Sequence, residues 1–371
     1  MKFTVLQANF AKALNQVSRI VGSRTTLPVL GNVLIIAEKG KIKLSATDLE
    51  VAVTSIALGK IDEDGQLTVP ARLLSDFIVN NNDESIVFET KADTENVLHL
   101  KSDHYKATIT GISAEEFPTI PLLPTENVIK IKNADFSDAV KKVIIAPAND
   151  ETRPVLAGIY FQFSGKSLIL AATDSFRLAE KKMEFDEDAG EKKFIVPGRT
   201  MTEVLRLMSG LEGEKPIEIS STENQIAFKI GDTEVVSRLI EGAFPNYTQI
   251  IPTSSKIKVS MNHKDFVSAV KMSSLFAKNA ANNIRIHVTK DEASISSMAS
   301  PAGESTSKVS AETSGGELTI AFNARYVLDV LAVNDGQKVI LELNDEATAG
   351  LIKSEKDEDY IYIVMPLKLD A

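Results

Sequence analysis

The side chains that usually carry catalysis or bind metals are scarce in this sequence. It has 4 His and no Cys, so thiolate nucleophiles, disulfides and zinc–thiolate sites are excluded. No Walker loop, G-x-G-x-x-G turn, G-x-S-x-G elbow or H-x-x-x-H pair of histidines is present. The histidines are isolated along the chain: His99, His104, His263 and His287. We therefore expect no catalytic residue, no metal site and no cofactor.

Two aspartates occupy equivalent places in a repeated motif and are the best candidates for a pair of catalytic carboxylates. Asp48 and Asp174 each end an Ala-Thr-Asp motif, at residues 46–48 and 172–174. A third copy of the motif has Ser-Met-Ala at 297–299 instead. Aspartate at a strand end commonly accepts hydrogen bonds from the backbone of a turn. The turn role is favoured, and an Asp-dependent hydrolase is the weakest of three functional hypotheses.

Length and composition are typical of a folded chain with more than one domain. The 371 residues are 43% apolar and 25% charged, which fits two or three domains and excludes a wholly disordered chain. No stretch approaches the roughly 18 apolar residues of a membrane span, and no signal peptide is apparent. We expect a cytoplasmic protein with no membrane partner. The net charge of −10 argues at first against nucleic acid, because phosphate contacts need Lys and Arg.

The sequence contains an internal repeat, and Asp48 and Asp174 occupy equivalent positions in it. Five motifs recur 126 or 127 residues further along the chain, and they begin at Ala8, Pro28, Ala46, Val69 and Phe117. A fainter third copy repeats the first motif at 264–270. Because each copy is domain-sized, the repeat predicts three similar domains and not a thin solenoid. Turn-rich breaks divide the domains at 1–124, 125–252 and 253–371.

Each copy has the same order of predicted elements. An amphipathic helix opens the first copy, with Phe10, Ala13, Leu14 and Val17 on one face, and short strands of alternating polarity follow. A second helix comes next, before further strands; the predicted second helices span 73–80, 201–208 and 326–333. Strands grouped between two helices, without β-α-β alternation, predict the α+β class with antiparallel sheets.

The predicted helices are basic although the chain is acidic. They carry eleven basic and six acidic side chains, a net charge of +5, which leaves −15 for the rest of the chain. Lys12 and Arg19 are seven residues apart, as are Arg199 and Arg206, so each pair shares a helix face away from the apolar stripe. Either the helices carry solubilising charges, or they line a surface that faces a polyanion. The excess in all three copies favours the polyanion.

The motifs together resemble those of a known family. The threefold repeat, the stretches 24–32, 171–179 and 244–247, and the ending 364–369 are similar to the bacterial replicative sliding clamp, the beta subunit of DNA polymerase III. The resemblance covers the whole chain. It implies a non-catalytic processivity factor that forms a head-to-tail homodimeric ring around double-stranded DNA. The replicative polymerase, the clamp loader and repair proteins would bind it through short linear motifs.

The ring implied by the resemblance also fits a simple estimate of size. Twelve helices of roughly 10 Å width enclose a hole of about 28 Å, wider than a duplex of about 20 Å, whereas six helices do not. A mildly positive bore would give non-specific contact that permits sliding. The expected DNA-binding residues are Arg24, Arg72, Lys12, Arg19, Lys141, Lys142, Arg199, Arg206, Lys264 and Lys271. The loop 150–155 has Pro154-Val155 where some relatives have paired tyrosines, and its two acids disfavour DNA contact there.

The resemblance further implies a hydrophobic cleft that receives short peptides. Its expected walls are Leu156, Thr173, Ser175, Phe176, Arg177, Leu178, Pro245, Gln249, Ile250, Ala347, Ile363, Val364, Met365, Pro366, Leu367, Lys368 and Leu369. Without the resemblance, 363–365 would be interpreted as a buried final strand. Met365 suits a site that adapts to several peptides. Phe176, Gln249 and Lys368 replace a frequent His, Arg and Arg, so peptide preference is expected to differ in detail.

The dimer contact is expected to join a late strand of the first domain to a helix of the third. Its residues are Tyr105, Ala107 and Ile109 on the strand, and Leu275 and Phe276 on the helix. The second functional hypothesis is a non-enzymatic acidic scaffold of three domains that does not bind DNA. A clamp should be retained on circular DNA and released when that DNA is linearised, whereas the scaffold should not be retained on either.

Overall fold

Antiparallel strands and six helices make up the part of the chain that the structure describes. The structure is a computed structural model, and it describes residues 1–22, 27–91, 93–121, 128–150, 152–211, 215–278, 281–297 and 303–368. All strand pairs in these residues are antiparallel. The predicted α+β class is therefore confirmed. None of the described helices is both long and apolar enough to span a membrane.

The elements repeat three times along the chain. The first repeat contains β1 (Lys2–Leu6), α1 (Gln7–Ser18), β2 (Asn32–Glu38), β3 (Lys41–Thr47), β4 (Val51–Ala57), β5 (Gly59–Glu63), β6 (Gly65–Pro70), α2 (Ala71–Asn80), β7 (Ser85–Thr90), β8 (Val97–Lys101) and β9 (Lys106–Thr110). The second contains β10 (Ile129–Lys132), α3 (Asn133–Val143), β11 (Gly158–Ser164), β12 (Ser167–Thr173), β13 (Arg177–Glu184), β14 (Glu191–Pro197), α4 (Gly198–Ser209), β15 (Pro216–Ser221), β16 (Gln225–Ile230) and β17 (Thr233–Arg238). The third contains β18 (Ile257–Asn262), α5 (His263–Ala277), β19 (Asn283–Val288), β20 (Glu292–Ser297), β21 (Thr306–Ser314), β22 (Leu318–Asn323), α6 (Ala324–Ala332), β23 (Lys338–Leu343), β24 (Gly350–Ser354) and β25 (Tyr360–Val364).

Contacts divide the chain into two compact units. Unit 1 comprises 1–133 and 203–239, and unit 2 comprises 134–202 and 240–371. Unit 1 contains a five-stranded sheet of order β5-β1-β7-β8-β9 and an eight-stranded sheet of order β10-β15-β16-β17-β4-β3-β2-β6. Unit 2 contains a twelve-stranded sheet of order β14-β11-β12-β13-β25-β24-β23-β18-β21-β20-β19-β22. Each unit thus combines strands from two successive repeats.

Successive repeats are joined by strand pairing. In unit 1, β17 of the second repeat pairs with β4 of the first, with Val236 opposite Ala52. In unit 2, β25 of the third repeat pairs with β13 of the second, with Ile363 opposite Leu178. The unit 1 junction is reinforced by the Gln16 side chain, whose Oε1 accepts hydrogen bonds from both strands, 2.7 Å from Ser55 and 2.9 Å from Thr233.

The helices bury the faces that periodicity predicts. Phe10, Ala13, Leu14 and Val17 of α1 are all buried, and the Phe10 and Phe88 ring centroids lie 4.5 Å apart. Burial of each large apolar side chain contributes roughly 1.5–3 kcal/mol. The second helix of each repeat (α2, α4 and α6) begins one residue before an arginine. Each begins two or three residues earlier than the sequence pattern predicts. These arginines are Arg72, Arg199 and Arg325.

Candidate functional site

The turn between β12 and β13 holds an aromatic ring in solvent. Thr173 Oγ1 donates to the Arg177 carbonyl oxygen at 2.6 Å. Asp174 Oδ1 accepts from the backbone N–H groups of Phe176 and Arg177 at 2.9 and 3.0 Å. Ser175 has a φ of 79°, a left-handed conformation that is uncommon outside glycine. This turn leaves the Phe176 side chain 55% exposed and gives Asp174 the turn role favoured from the sequence.

Arg177 fixes this turn to a helix of the third repeat. Its Nε donates to Asp174 Oδ2 at 3.1 Å, and its Nη1 donates to Asp329 of α6. The guanidinium carbon also lies 4.5 Å from the centroid of the Tyr326 ring. Arg177 is only 7% exposed, so both carboxylates and the ring compensate its desolvated charge. Arg177 therefore acts as a strut between β13 and α6.

Exposed apolar side chains surround this turn in unit 2. Met365 follows β25 directly, and its backbone N–H donates to the Phe176 carbonyl oxygen at 2.8 Å. The Phe176–Met365 surface, as we name it, consists of Phe176, Pro245, Ile250, Met365 and Leu367. Phe176, Ile250 and Met365 are among the most exposed large apolar residues of unit 2. Phe176 and Met365 are therefore exposed apolar residues joined by a backbone hydrogen bond, and neighbouring exposed apolar groups indicate an interaction site.

A packed layer supports the Phe176–Met365 surface from below. Its members come from five segments of unit 2 and are Ala171, Leu178, Tyr247, Ala349, Leu351 and Ile363, with Tyr160, Phe244, Ile251 and Ile361 packed against them. The Tyr160 and Phe244 rings stack with centroids 5.0 Å apart. Burial, together with a hydrogen bond to Glu180, raises the pKa of Tyr247 above its ordinary value. Pro245 and Ile250 lie in the same segment as Tyr247, and the packing of Tyr247 joins that segment to the layer.

Basic side chains extend from the helices into solvent. Seven of the ten expected DNA-binding residues are exposed: Lys12, Arg19, Arg72, Lys141, Arg199, Lys264 and Lys271. In α5, Lys264 and Lys271 lie seven residues apart, on a face away from the buried Phe266 and Val270. Such a face attracts a polyanion without reading its sequence.

The expected dimer contacts lie at the edge of one sheet and on one helix. Strand β9 is the last strand of its five-stranded sheet, and Tyr105, just before it, is 42% exposed. Leu275 of α5 is 58% exposed, and Met272, one turn earlier, is 52% exposed. An exposed sheet edge and an exposed apolar helix face both favour pairing with another chain.

Comparisons with known proteins assign the chain to a family. Family models of the DNA polymerase III beta subunit match it along almost its whole length: the N-terminal domain at 1–121, the central domain at 130–246 and the C-terminal domain at 248–368. The chain belongs to the DNA polymerase III beta subunit family. The resemblance inferred from the repeated motifs is confirmed.

Relatives within the DNA polymerase III beta subunit family align from end to end. The chain is 27% identical to a beta sliding clamp of Staphylococcus epidermidis and 28% identical to one of Staphylococcus aureus, with 99% of each chain covered. Its fold matches a sliding clamp of Pseudomonas aeruginosa with a TM-score of 0.91 at 27% identity, and one of Bacillus subtilis with a TM-score of 0.94 at 25% identity. Both structures are covered completely. The chain thus has the three-domain clamp fold.

Two of the expected DNA-binding residues are engaged within the protein. Lys142 is 5% exposed, and its Nζ contacts Asp138 at 2.8 Å and Asp357 at 2.6 Å, so the prediction of DNA contact was wrong for this residue. Arg206 is half-buried; it pairs with Glu203 and donates to the Gln16 carbonyl oxygen at 3.0 Å. Its charge is largely compensated within the protein. Arg24 lies outside the described residues.

The prediction of cleft walls needs a similar correction in this member of the DNA polymerase III beta subunit family. Six expected wall residues are buried: Leu156, Thr173, Arg177, Leu178, Ile363 and Val364. Of these, Leu178 and Ile363 belong to the packed layer. Leu178 and Ile363 are cross-strand partners inside the twelve-stranded sheet, which explains their burial. The remaining residues are exposed or half-buried: Ser175, Phe176, Pro245, Gln249, Ile250, Ala347, Met365, Pro366, Leu367 and Lys368. Leu369 lies outside the described residues.

The expected interface residues also divide between surface and core. Ile109 is 3% exposed and sits opposite Leu98 of β8, so it could contribute to an interface only through the backbone of the edge strand β9. Ala107 and Phe276 are half-buried. Met272, which the sequence-based prediction did not include, lies three residues before Leu275 on the same helix face and is also exposed.

Arg177 provides a test of the strut between β13 and α6. Replacing Arg177 with Met leaves two carboxylates without their cation, so we expect unit 2 to lose about 3 kcal/mol of unfolding free energy. Hydrogen exchange of the β13 and β25 amides measures this loss locally. Lys368→Met, at an exposed position, is the matched control and should change little. Unaltered exchange in Arg177→Met would show that the ion pairs contribute nothing.

The ion pair between the buried Lys142 and Asp357 predicts that the free energy of unfolding falls at acidic pH. Burial by itself would raise the pKa of Asp357, but hydrogen bonds from Lys142 and Lys181 outweigh it and hold that pKa below its ordinary value. The stabilising contribution is therefore present above about pH 4 and is lost as the pH falls further. Asp357→Asn should lower the unfolding free energy by about 1–2 kcal/mol at pH 7.

Chemical unfolding of Asp357→Asn at a series of pH values measures this effect. The difference in unfolding free energy between Asp357→Asn and the unsubstituted protein should shrink as the pH falls toward 3. Asp335→Asn is the control, since Asp335 lies 3.9 Å from Lys142 Nζ with its side chain 77% exposed. A difference that stays constant with pH would contradict the role of the Asp357 charge.

Proposed function

We propose that the protein is a DNA sliding clamp, a non-catalytic processivity factor. Two copies would join head to tail, encircle double-stranded DNA and tether the replicative polymerase, with the clamp loader and repair proteins binding by short linear motifs. The observation that carries the proposal is the end-to-end match, over 99% of the chain, to proteins named beta sliding clamps. We place its three domains at 1–124, 125–252 and 253–371, and we expect it in the cytoplasm with the DNA.

The distribution of charge supports DNA binding by an acidic protein. Although the net charge is −10, seven of the expected DNA-binding residues are exposed at helices. A ring holds DNA by topology, so weak, non-specific phosphate contacts suffice and leave the ring free to slide. An acidic remainder would repel DNA from the outer surface.

The Phe176–Met365 surface supports binding of partner peptides. Its exposed groups are a ring, one aliphatic side chain, a thioether and a proline, and Leu367 beside them is half-buried. A short apolar peptide needs a few desolvated anchors for most of its binding energy. The flexible Met365 side chain lets one surface accept several sequences.

Release from cut DNA tests encirclement. Clamps loaded onto nicked circular DNA should stay bound through gel filtration in moderate salt, because they cannot leave a closed circle. Linearising the same DNA with a restriction enzyme should release nearly all of them by sliding from the ends. Equal retention on circular and linear DNA would rule out a ring, and no retention on either would favour the scaffold that does not bind DNA.

A further inference from the structure

Unit 1 contains an open groove that the proposed function does not use. Its cavity measures about 200 Å³. Seven of the thirteen residues that form its walls are apolar: Leu49, Val51, Ala52, Pro118, Ile120, Pro121 and Val236. Leu49 is 45% exposed, so part of this apolar wall is already in contact with solvent. We name these residues, together with Glu50 and Arg238, the unit 1 groove.

The unit 1 groove is built on the same turn as the Phe176–Met365 surface. Thr47 Oγ1 donates to the Val51 carbonyl oxygen at 2.9 Å, as Thr173 does to Arg177. Asp48 Oδ1 accepts from the Glu50 and Val51 backbone N–H groups at 3.1 and 2.8 Å. Leu49 has a φ of 78°, against 79° for Ser175. The two turns therefore have the same backbone geometry.

The neighbouring strand extends the correspondence. Ser237 of β17 pairs with Val51, as Val364 of β25 pairs with Arg177. One residue further on, the Arg238 N–H donates to the Glu50 carbonyl oxygen at 3.1 Å, as Met365 does to Phe176 at 2.8 Å. Arg238 thus occupies the place of Met365, and Glu50 the place of Phe176. The groove has the backbone of a peptide surface with different side chains at its rim.

The exchanged side chains define what the unit 1 groove can recognise. Arg238 is exposed, and within the described residues no ion pair to its guanidinium is formed, not even with the adjacent Glu50. A guanidinium beside an apolar wall complements a peptide carboxylate next to an aliphatic side chain. The Glu50 carboxylate opposes such a ligand, so the two rim charges should affect binding in opposite directions.

We propose that the unit 1 groove binds short acidic peptides, with a leucine-type side chain in the cavity and a carboxylate on Arg238. This site is separate from the Phe176–Met365 surface, and it goes beyond the proposed function because neither ring closure nor polymerase tethering requires it. A clamp with both sites could hold two partner peptides of different chemistry on one chain. Their simultaneous binding would raise the effective concentration of each at the DNA.

Two labelled peptides of opposite charge test the proposal. The probes are fluorescein-labelled Leu-Asp-Leu-Glu-Leu and Leu-Lys-Leu-Lys-Leu, and fluorescence anisotropy measures their binding to the full chain at low salt. The background is Phe176→Ala with Met365→Ala, which silences the other surface. We expect the acidic probe to bind and the basic probe to bind at least about tenfold more weakly.

Substitutions in the unit 1 groove then identify the contacts. Arg238→Gln should weaken the acidic probe about tenfold, whereas Glu50→Gln should tighten it severalfold. Leu49→Asn removes the aliphatic wall but tolerates the positive φ, so it should weaken binding without unfolding the turn. Arg238→Gln should leave retention on circular DNA unchanged, so failure of this site and failure of the clamp function are distinguishable.

The proposal is overturned by any of three results. These are no binding of the acidic probe in the silenced background, equal binding of both probes, and acidic binding that Arg238→Gln and Leu49→Asn leave unchanged. Opposite effects of Glu50→Gln and Arg238→Gln on the same probe would support it, because a general surface attraction does not distinguish adjacent rim residues.

Discussion

Replacing Leu275 with Asp should convert the proposed homodimer into monomers. Leu275 is 58% exposed on α5, and Met272 on the same face is 52% exposed, so both would be covered in the proposed head-to-tail contact. A carboxylate buried there without a cation costs several kcal/mol. We expect the dimer dissociation constant to rise by at least about a hundredfold, as measured by analytical ultracentrifugation.

Ser268 gives a matched control for Leu275→Asp. Ser268→Asp introduces the same single negative charge at an exposed, neutral position of the same helix, where it removes no apolar contact, so the dimer should persist. Leu275→Asp should also abolish retention on circular DNA while leaving peptide binding intact. A dimer that survives Leu275→Asp would place the interface elsewhere.

The double variant Phe176→Ala with Met365→Ala should weaken binding of polymerase-derived peptides by about a hundredfold. Both side chains are exposed, and their backbones are joined by the hydrogen bond from Met365 to Phe176. Each typical anchor contributes roughly 1–2 kcal/mol, or about five- to thirtyfold in affinity. Isothermal titration calorimetry with the same peptide measures the loss.

The melting temperature separates a surface role from a core role. Truncating exposed side chains leaves no cavity, so Phe176→Ala with Met365→Ala should melt like the unsubstituted protein. Leu178→Ala is the contrasting variant; Leu178 is fully buried, and its loss should cost about 2–5 kcal/mol. Unchanged peptide affinity in the double variant, together with a native melt, would refute the peptide site.

Local pattern predicted the parts of the fold that depend on neighbouring residues. The helical spacing of Phe10 and Leu14 placed their buried face correctly, and the repeated Ala-Thr-Asp motif indicated the turns at Asp48 and Asp174. Strict alternation in β9 would also have placed Ile109 in the core, since its two neighbours are threonines. The alternation therefore predicts the burial of the Ile109 side chain that the structure shows.

Residues that pair across long sequence distances could not be predicted in this way. Lys142 has the spacing of a solvent-facing helix residue, yet its partner Asp357 lies 215 residues further along the chain. Arg177 likewise finds Asp329 at a separation of 152 residues. Each cation also has a carboxylate nearby in the sequence, Asp138 for Lys142 and Asp174 for Arg177. Sequence reasoning assigned the cations to DNA and to a peptide because the second carboxylate of each site comes from another repeat.

The strand pairs between successive repeats restrict how genes of this family can recombine. Strand β4 ends at Ala57 and its partner β17 begins at Thr233, while β13 ends at Glu184 and its partner β25 begins at Tyr360. A single crossover anywhere between 58 and 359 therefore takes at least one pair of strands from two different parents. The three repeats therefore cannot be exchanged independently between relatives. Hybrid genes should survive selection only where both parents have the same side chains at the strand pair that the crossover divides.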